Sequence, residues 1–378
     1  MNQDLGLKVL SQIMAWSDDR AREEFRWLRL MARLKYDGYR DFQAGMRFIE
    51  SLATWLQQFT AAERETAYAF VRQTLVYIGP GEMQRLVEQF YPRAVRDRLT
   101  CTIAAERAIA TYRVLADAAA RADVERLRRQ TLFMGLSDGA RIDTIRHVNA
   151  GLLSNEQLVQ GAQVDKDKWQ DLRDNLRKDL EDPEAGFRLV YLIDDFAGTG
   201  TTFLREDDEK GWKGKLMRFR ESIEGATQAL GGPIFAPDWE LCIHHYVGSA
   251  TAAQAIERRL GDARDALAGE GWASAMHASF GTILPSDLPI DAVPGRHDAF
   301  IQLTQTYYDP KIQTKHTSVG GVAHLGLGYG GCALPLVFDH NTPNNAVALL
   351  WAETEGGNRD GVTAPAMRPL FRRRQRHT

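Results

Sequence analysis

Val190-Tyr191-Leu192-Ile193-Asp194-Asp195-Phe196-Ala197-Gly198-Thr199-Gly200-Thr201-Thr202 is the stretch that decides how this chain is read. Its apolar start reads as a strand buried on both faces, as in a parallel sheet. Two adjacent carboxylates follow, then a Gly/Thr loop expected to open a helix. In open parallel sheets, ligands sit beyond the carboxyl ends of the strands, where strand order reverses. Asp194 and Asp195 fall at such an end. Gly198, Thr199, Gly200, Thr201 and Thr202 offer backbone N–H groups and hydroxyls, which at a helix N-terminus form an anion nest. A phosphate fits the nest. The carboxylates can accept hydrogen bonds from vicinal hydroxyls of an attached ribose, or hold a hydrated Mg²⁺. Phosphate on one side and paired acids on the other describe a ribose 5-phosphate. The loop lacks the Gly-Lys-Ser/Thr ending of a Walker A motif. It also differs from the dinucleotide fingerprint, whose acid follows the glycines instead of preceding them.

Outward from this motif, strands alternate with helices. Residues 131–134 form an apolar run, Gly135-Leu136-Ser137-Asp138-Gly139 a loop, and 140–149 a helix. Strands are expected at 187–193, 239–247 and 273–284, with a helix at 251–260. This alternation predicts a doubly wound parallel sheet with helices on both faces. A charged insertion, 154–184, carries Trp169, Leu172, Leu176 and Leu180 at helical spacing, so one face can pack. His244 and His245 adjoin on a strand and point to opposite faces. One is expected buried and hydrogen-bonded, the other at an edge, with no shared metal site.

The flanks differ in kind. Residues 1–128 read as an all-helical domain. Ser17-Asp18-Asp19 caps a helix bearing Phe25, Leu28 and Met31, and Thr60-Ala61-Ala62-Glu63 is a capping box. Gly79-Pro80-Gly81 is a break, a short helix is expected from Glu82 to Phe90 with Pro92 as its stop, and one long helix is expected over 103–129. Several short helices, some basic, admit a winged-helix or helix-turn-helix element, or a dimerisation scaffold. The α/β core is assigned to 129–300. A C-terminal lobe, 301–378, is expected to complete the core and cover the site. It starts with a strand at Phe300-Ile301-Gln302-Leu303 and holds a Gly-rich segment, an apolar run at 333–338 and the turn His340-Asn341-Thr342-Pro343-Asn344-Asn345.

Composition narrows the classes. The 378 residues carry a net charge of −3, so no global attraction to nucleic acid is expected. The basic tail, 372–378, is a local exception. Cys101, Cys242 and Cys332 are scattered, with neither disulfide nor metal spacing, which suits a reducing cytoplasm. No apolar run is long enough for a bilayer, and no secretory signal pattern opens the chain, so a cytoplasmic location is expected.

The motif resembles the ligand-binding motif of type I phosphoribosyltransferases: apolar residues, two acids, two mostly apolar residues, then a loop rich in Thr and Gly. Phe133-Met134-Gly135-Leu136-Ser137-Asp138-Gly139-Ala140-Arg141, residues 192–202 and the 340–345 turn together are similar to the phosphoribosyltransferase-like proteins of bacterial conflict systems, the PRTase-CE family. Some members are encoded beside retrons as anti-phage effectors. The resemblance spans roughly residues 60 to 371; the first loop and the C-terminal turn are weak signals singly, and it rests on the three motifs in this order. It implies a type I phosphoribosyltransferase fold that binds phosphoribosyl pyrophosphate (PRPP) or a related nucleotide with Mg²⁺. Residues 199–202 fall on the 5-phosphate loop, and Asp194 and Asp195 on the ribose and metal acids. Gly135, Leu136, Ser137, Asp138 and Gly139 fall on the pyrophosphate loop, with Arg141 for leaving-group charge. His340, Asn341 and Asn344 are candidates for second-substrate recognition. An active member would displace pyrophosphate, a pentosyl transfer. A silent one would bind nucleotide or nucleic acid, for instance in a retron complex with a reverse transcriptase and its RNA/DNA product, or as a homo-oligomer. The sequence departs from the family pattern in three places. Gly198 stands where purine enzymes often place a basic carboxylate, the insertion 154–184 is more helical than a closing loop, and the charged stretch 205–211 interrupts the helix after the phosphate loop. The long helical N-terminal region speaks against a compact salvage enzyme.

Overall fold

A computed structural model describes residues 3–207, 211–269, 272–314, 317, 319–359 and 362–373. Arg374 to Thr378 of the basic tail lie outside the described residues. The chain divides into two compact units, Met83–Pro285 and the two flanks together, up to Glu82 and from Ser286. The unit boundaries therefore fall at 82/83 and 285/286, whereas the sequence placed divisions at 128/129 and 300/301.

The central unit is built on a five-stranded sheet. Its strands are β1 (Thr131–Gly135), β2 (Leu158–Val159), β3 (Phe187–Ala197), β4 (Phe235–Ser249) and β5 (Ala275–Leu284). Every pairing is parallel, and the spatial order is β2-β1-β3-β4-β5. After β2 the chain crosses β1 to place β3 on its other side, so strand order reverses between β1 and β3. That reversal opens a crevice above the carboxyl ends of these two strands.

Alternating side chains serve the two faces. Leu132, Met134, Val190, Leu192, Leu241 and Ile243 share one apolar core with Trp169, Leu172 and Leu176 of helix Lys166–Asp179, with Phe219 of helix Lys215–Leu230 and with Ile256 of helix Ala250–Leu267. The insertion is thus a packed element of the sheet's flank. On the opposite face Phe90 makes edge contacts with Phe133, Tyr191 and Tyr246 and lies 4.6 Å from the His244 ring. Phe90 ends helix Pro80–Phe90. Pro92 does not stop this helix: a π-helical turn, Tyr91–Val95, leads on into Arg96–Glu106. Such a turn tolerates the missing proline N–H. The long helix expected over 103–129 is two helices, Arg96–Glu106 and Ala118–Arg129, the second capped by the Asp117 side chain.

The other unit joins the chain's two flanks. Helices Asp18–Leu34, Phe48–Gln57 and Arg64–Gln73 share one apolar core with residues 333–371, in which Trp55, Phe48, Leu350 and Phe371 are buried. A two-stranded parallel ladder sets Val76–Ile78 against Leu336–Phe338. Trp55 donates its indole N–H to the Leu349 carbonyl at 2.7 Å. The strand expected at Phe300 is instead the start of helix Asp298–Thr306, with Phe300 and Leu303 buried and Phe300 stacked on Phe70 at 3.8 Å. Among the described residues no helix is long and apolar enough to cross a membrane.

Candidate functional site

Asp194 and Asp195 lie on the last turns of the β3 pleat, beyond the end of β1. Gly135, the last residue of β1, pairs with Ile193, one position before the acids. The acids therefore stand at the crevice where strand order reverses. Asp194 is buried, and Asp195 is half-buried.

The loop after β1 comes directly to these acids. Ser137 donates its hydroxyl to Asp194 Oδ1. It also accepts from the Gly139 N–H at 3.2 Å, which shapes the turn. Gly139 sits so close to Asp195 that a Cβ there would collide with the carboxyl group. The loop ends at Arg141, whose backbone is left-handed at φ +52°. Tyr246 of β4 donates to the Ala140 carbonyl at 2.8 Å, and Leu136 N–H donates to Ile193 O at 2.7 Å. Gly135, Leu136, Ser137, Gly139 and Arg141 thus line a fixed loop beside the acids, with Asp138 exposed at its tip.

The Gly/Thr loop is anchored from below. Ser249, the cap of helix Ala250–Leu267, donates to Gly198 O at 2.6 Å, and Arg259 donates to Thr199 O at 2.9 Å. The Thr199 and Thr201 hydroxyls share a hydrogen bond of 2.8 Å. The backbone N–H groups of Thr199, Gly200 and Thr202 have no acceptor among the described residues. The expectation that a helix opens at this loop is corrected. A turn at 201–203 leads into a hairpin, Arg205–Asp207 with Gly211–Lys213, and the helix starts only at Lys215. Whatever anion affinity residues 198–202 have comes from their own N–H groups, without a helix dipole behind them.

The residue that sequence reasoning missed is Lys215. Its ammonium forms an ion pair with Asp194 Oδ2. Its backbone N–H donates to Thr202 O at 3.1 Å. Lys215 therefore ties the acids to the Gly/Thr loop. Burial pushes the Asp194 carboxyl above the usual range, against the pull of Lys215, and the neighbouring Asp195 adds to the rise. No spacing rule links residue 215 to residue 194, because the link depends on how the hairpin folds back.

His244 and His245 do point to opposite faces of β4, but the edge position expected for one of them is overturned. Both are buried, since helices cover both faces. His244 Nδ1 is 2.9 Å from the Ser279 hydroxyl, and His245 stacks on Phe280. Burial lowers His244 to about 3 and His245 to about 3. His340, Asn341 and Asn344 belong to the flanking unit. There His340 Nδ1 is 3.1 Å from the buried Asp339 carboxylate, the Asn341 carbonyl accepts from Phe338 N–H at 3.0 Å, and the Asn344 carbonyl accepts from Tyr329 N–H at 2.6 Å.

The family profile of PRTase-CE matches residues 52–373. This chain belongs to the PRTase-CE family. It is therefore a phosphoribosyltransferase-like protein. No curated protein and no solved structure matched the chain. PRTase-CE membership raises the question of a metal. The donor chemistry, two neighbouring carboxylates, suits a hard cation such as Mg²⁺. Both Asp194 oxygens are already engaged, by Ser137 and by Lys215. Among the described residues no group of three or more His, Cys, Asp or Glu gathers as a metal cage. The two carboxylates are suitable donors for Mg²⁺, but with both Asp194 oxygens engaged they do not by themselves make a cage for a resident ion.

Proposed function

We propose that this protein binds PRPP as its Mg²⁺ complex, or a related nucleotide, at the β1–β3 crevice, and that it transfers or cleaves at the ribose as an effector of a bacterial anti-phage defence system of retron type. The observation that carries the binding reading is the meeting of three segments at Asp194. Ser137 brings the loop after β1, Asp195 the second acid, and Lys215 the Gly/Thr loop. The defence setting rests on the family and its motif order.

In this reading the N–H groups of Thr199, Gly200 and Thr202 take the 5-phosphate. Asp195 accepts a ribose hydroxyl, and Asp194 takes the neighbouring one. Residues 135–139 and Arg141 face the diphosphate. The bond from the anomeric carbon to the diphosphate oxygen breaks with its electron pair leaving on the diphosphate, and a nucleophile closes on the carbon, which carries oxocarbenium character in the transition state. Preformed N–H donors of the 135–139 loop stabilise the negative charge that grows on the departing diphosphate. Mg²⁺ carried in with the substrate would add charge neutralisation on the leaving group. Gly198 offers no side-chain base, so the nucleophile's proton is not taken from that position.

One observation favours a second reading. Asp194 already has a counter-ion in Lys215, which suits a site that binds and signals without turnover. Calorimetry with Mg–PRPP, paired with a pyrophosphate-release assay, separates the two. Binding and release, both lost in Asp194→Asn with Asp195→Asn, support the enzyme. Binding without release supports the silent module. Absence of binding by the unaltered protein overturns the PRPP reading.

A further inference from the structure

Lys215 is fixed by the chain on both sides. Gly214 precedes it with φ +127°, and a Cβ there would collide with the Phe203 carbonyl. Leu216 N–H donates to Phe203 O at 3.1 Å, and Lys215 N–H to Thr202 O at 3.1 Å. The backbone is thus tied to the segment that follows the Gly/Thr loop, while the side chain reaches Asp194 and is about one-fifth exposed. Its four-carbon stem leaves the head free to change partners without moving the helix.

Resting on the proposed ribose-phosphate site, we infer that Lys215 is a ligand-displaced latch that selects for a diphosphate on the sugar. In the free protein the ammonium occupies Asp194 Oδ2, the oxygen a ribose hydroxyl needs. A ligand with only a 5-phosphate leaves Lys215 on Asp194 and competes with it. A ligand that also carries a diphosphate on the anomeric carbon presents a second anion at the crevice. The ammonium transfers to that anion, and Asp194 Oδ2 is released to accept the hydroxyl. The exchange replaces the ammonium on Asp194 Oδ2 by a ribose hydroxyl while Ser137 stays on Oδ1, so the buried carboxylate gives up its counter-ion but keeps a hydrogen bond on each oxygen. Lys215 therefore contacts substrate in the bound state and blocks the sugar in the free state.

The latch makes two ligands respond in opposite directions. Mg–PRPP and ribose 5-phosphate are titrated calorimetrically into the full-length protein and into Lys215→Met. The substitution is expected to weaken PRPP binding about tenfold or more, the scale of a charge-assisted hydrogen bond. Ribose 5-phosphate binding is expected to stay the same or tighten. Lys215→Arg guards against a folding failure. Its fork holds the carboxylate more firmly than an ammonium does, so the preference for PRPP should fall with the ion pair intact. Equal losses for both ligands, or an unchanged ratio in both variants, would overturn the latch and leave the site standing. If the unaltered protein binds neither ligand, the ribose-phosphate reading fails first and the latch with it.

Discussion

Asp194 is a buried carboxylate whose oxygens are held by Ser137 and Lys215. Removing one partner leaves a buried acceptor unsatisfied. Ser137→Ala is expected to destabilise the protein by about 1–3 kcal/mol, read as a lower urea midpoint with an unchanged slope. The buried histidines make a second prediction at this scale. Both lie near 3 in the folded state, below the ordinary 6.5 of the free side chain. Below pH 6.5 the unfolded chain binds protons that the folded one refuses, so stability falls as pH drops from about 6.5 toward 3. Asp194, raised by burial, works in the other direction and offsets part of this loss. Denaturation midpoints at pH 7 and pH 5 should differ, the lower belonging to pH 5. Equal midpoints would show that the two imidazoles are not buried neutral. The acids, the serine and both loops were legible in the sequence, because each lies within a few residues of a strand end. Lys215 was not, since it reaches Asp194 only after the hairpin turns the chain back. The burial of both histidines was also missed, because the covering of both sheet faces is a property of the assembled helices.

Among the elements, helix Lys166–Asp179 is the clearest case of a pattern read correctly. Trp169, Leu172 and Leu176 recur on one stripe, and all three are fully buried, with Trp169 against Phe235 at 5.8 Å. Trp169→Ala is expected to cost about 3–5 kcal/mol, measured by chemical denaturation. A loss below 1 kcal/mol would mean the helix is only loosely held. Helix Lys215–Leu230 depends instead on the residue before it. Gly214→Ala has a backbone that L side chains rarely adopt and a collision with Phe203 O. It should displace Lys215 and reduce PRPP affinity at least tenfold, on the scale of one lost charge-assisted contact, with far-UV circular dichroism unchanged. Phe300 shows where such reading stops. A short apolar run fits a strand or a helix equally well, and the choice was made by packing, with Phe300 stacked on Phe70 of the N-terminal helices. Pro92 was read as a stop because local rules forbid proline in a regular helix, and the π turn sidesteps that rule.

For the molecule as a whole, the strand alternation revealed the parallel sheet, while the partnership of the two flanks left no local trace. Helices from the first 82 residues share a core with residues 333–371. Residues 1–82 alone are therefore expected to lack stable structure. Far-UV circular dichroism and limited proteolysis of that fragment check this, and a protease-resistant helical fragment would contradict it. The ladder between Val76 and Leu336 also imposes an order of events on the ribosome. Val76 emerges about 260 residues before its partner, a delay of about 13–50 s at ordinary elongation rates. The sheet and its crevice are encoded in one uninterrupted stretch, Met83–Pro285. A nascent chain thus completes its β1–β3 crevice while its own beginning still waits for its end, and translation halted after Pro285 would release a finished sheet with an unclosed neighbour.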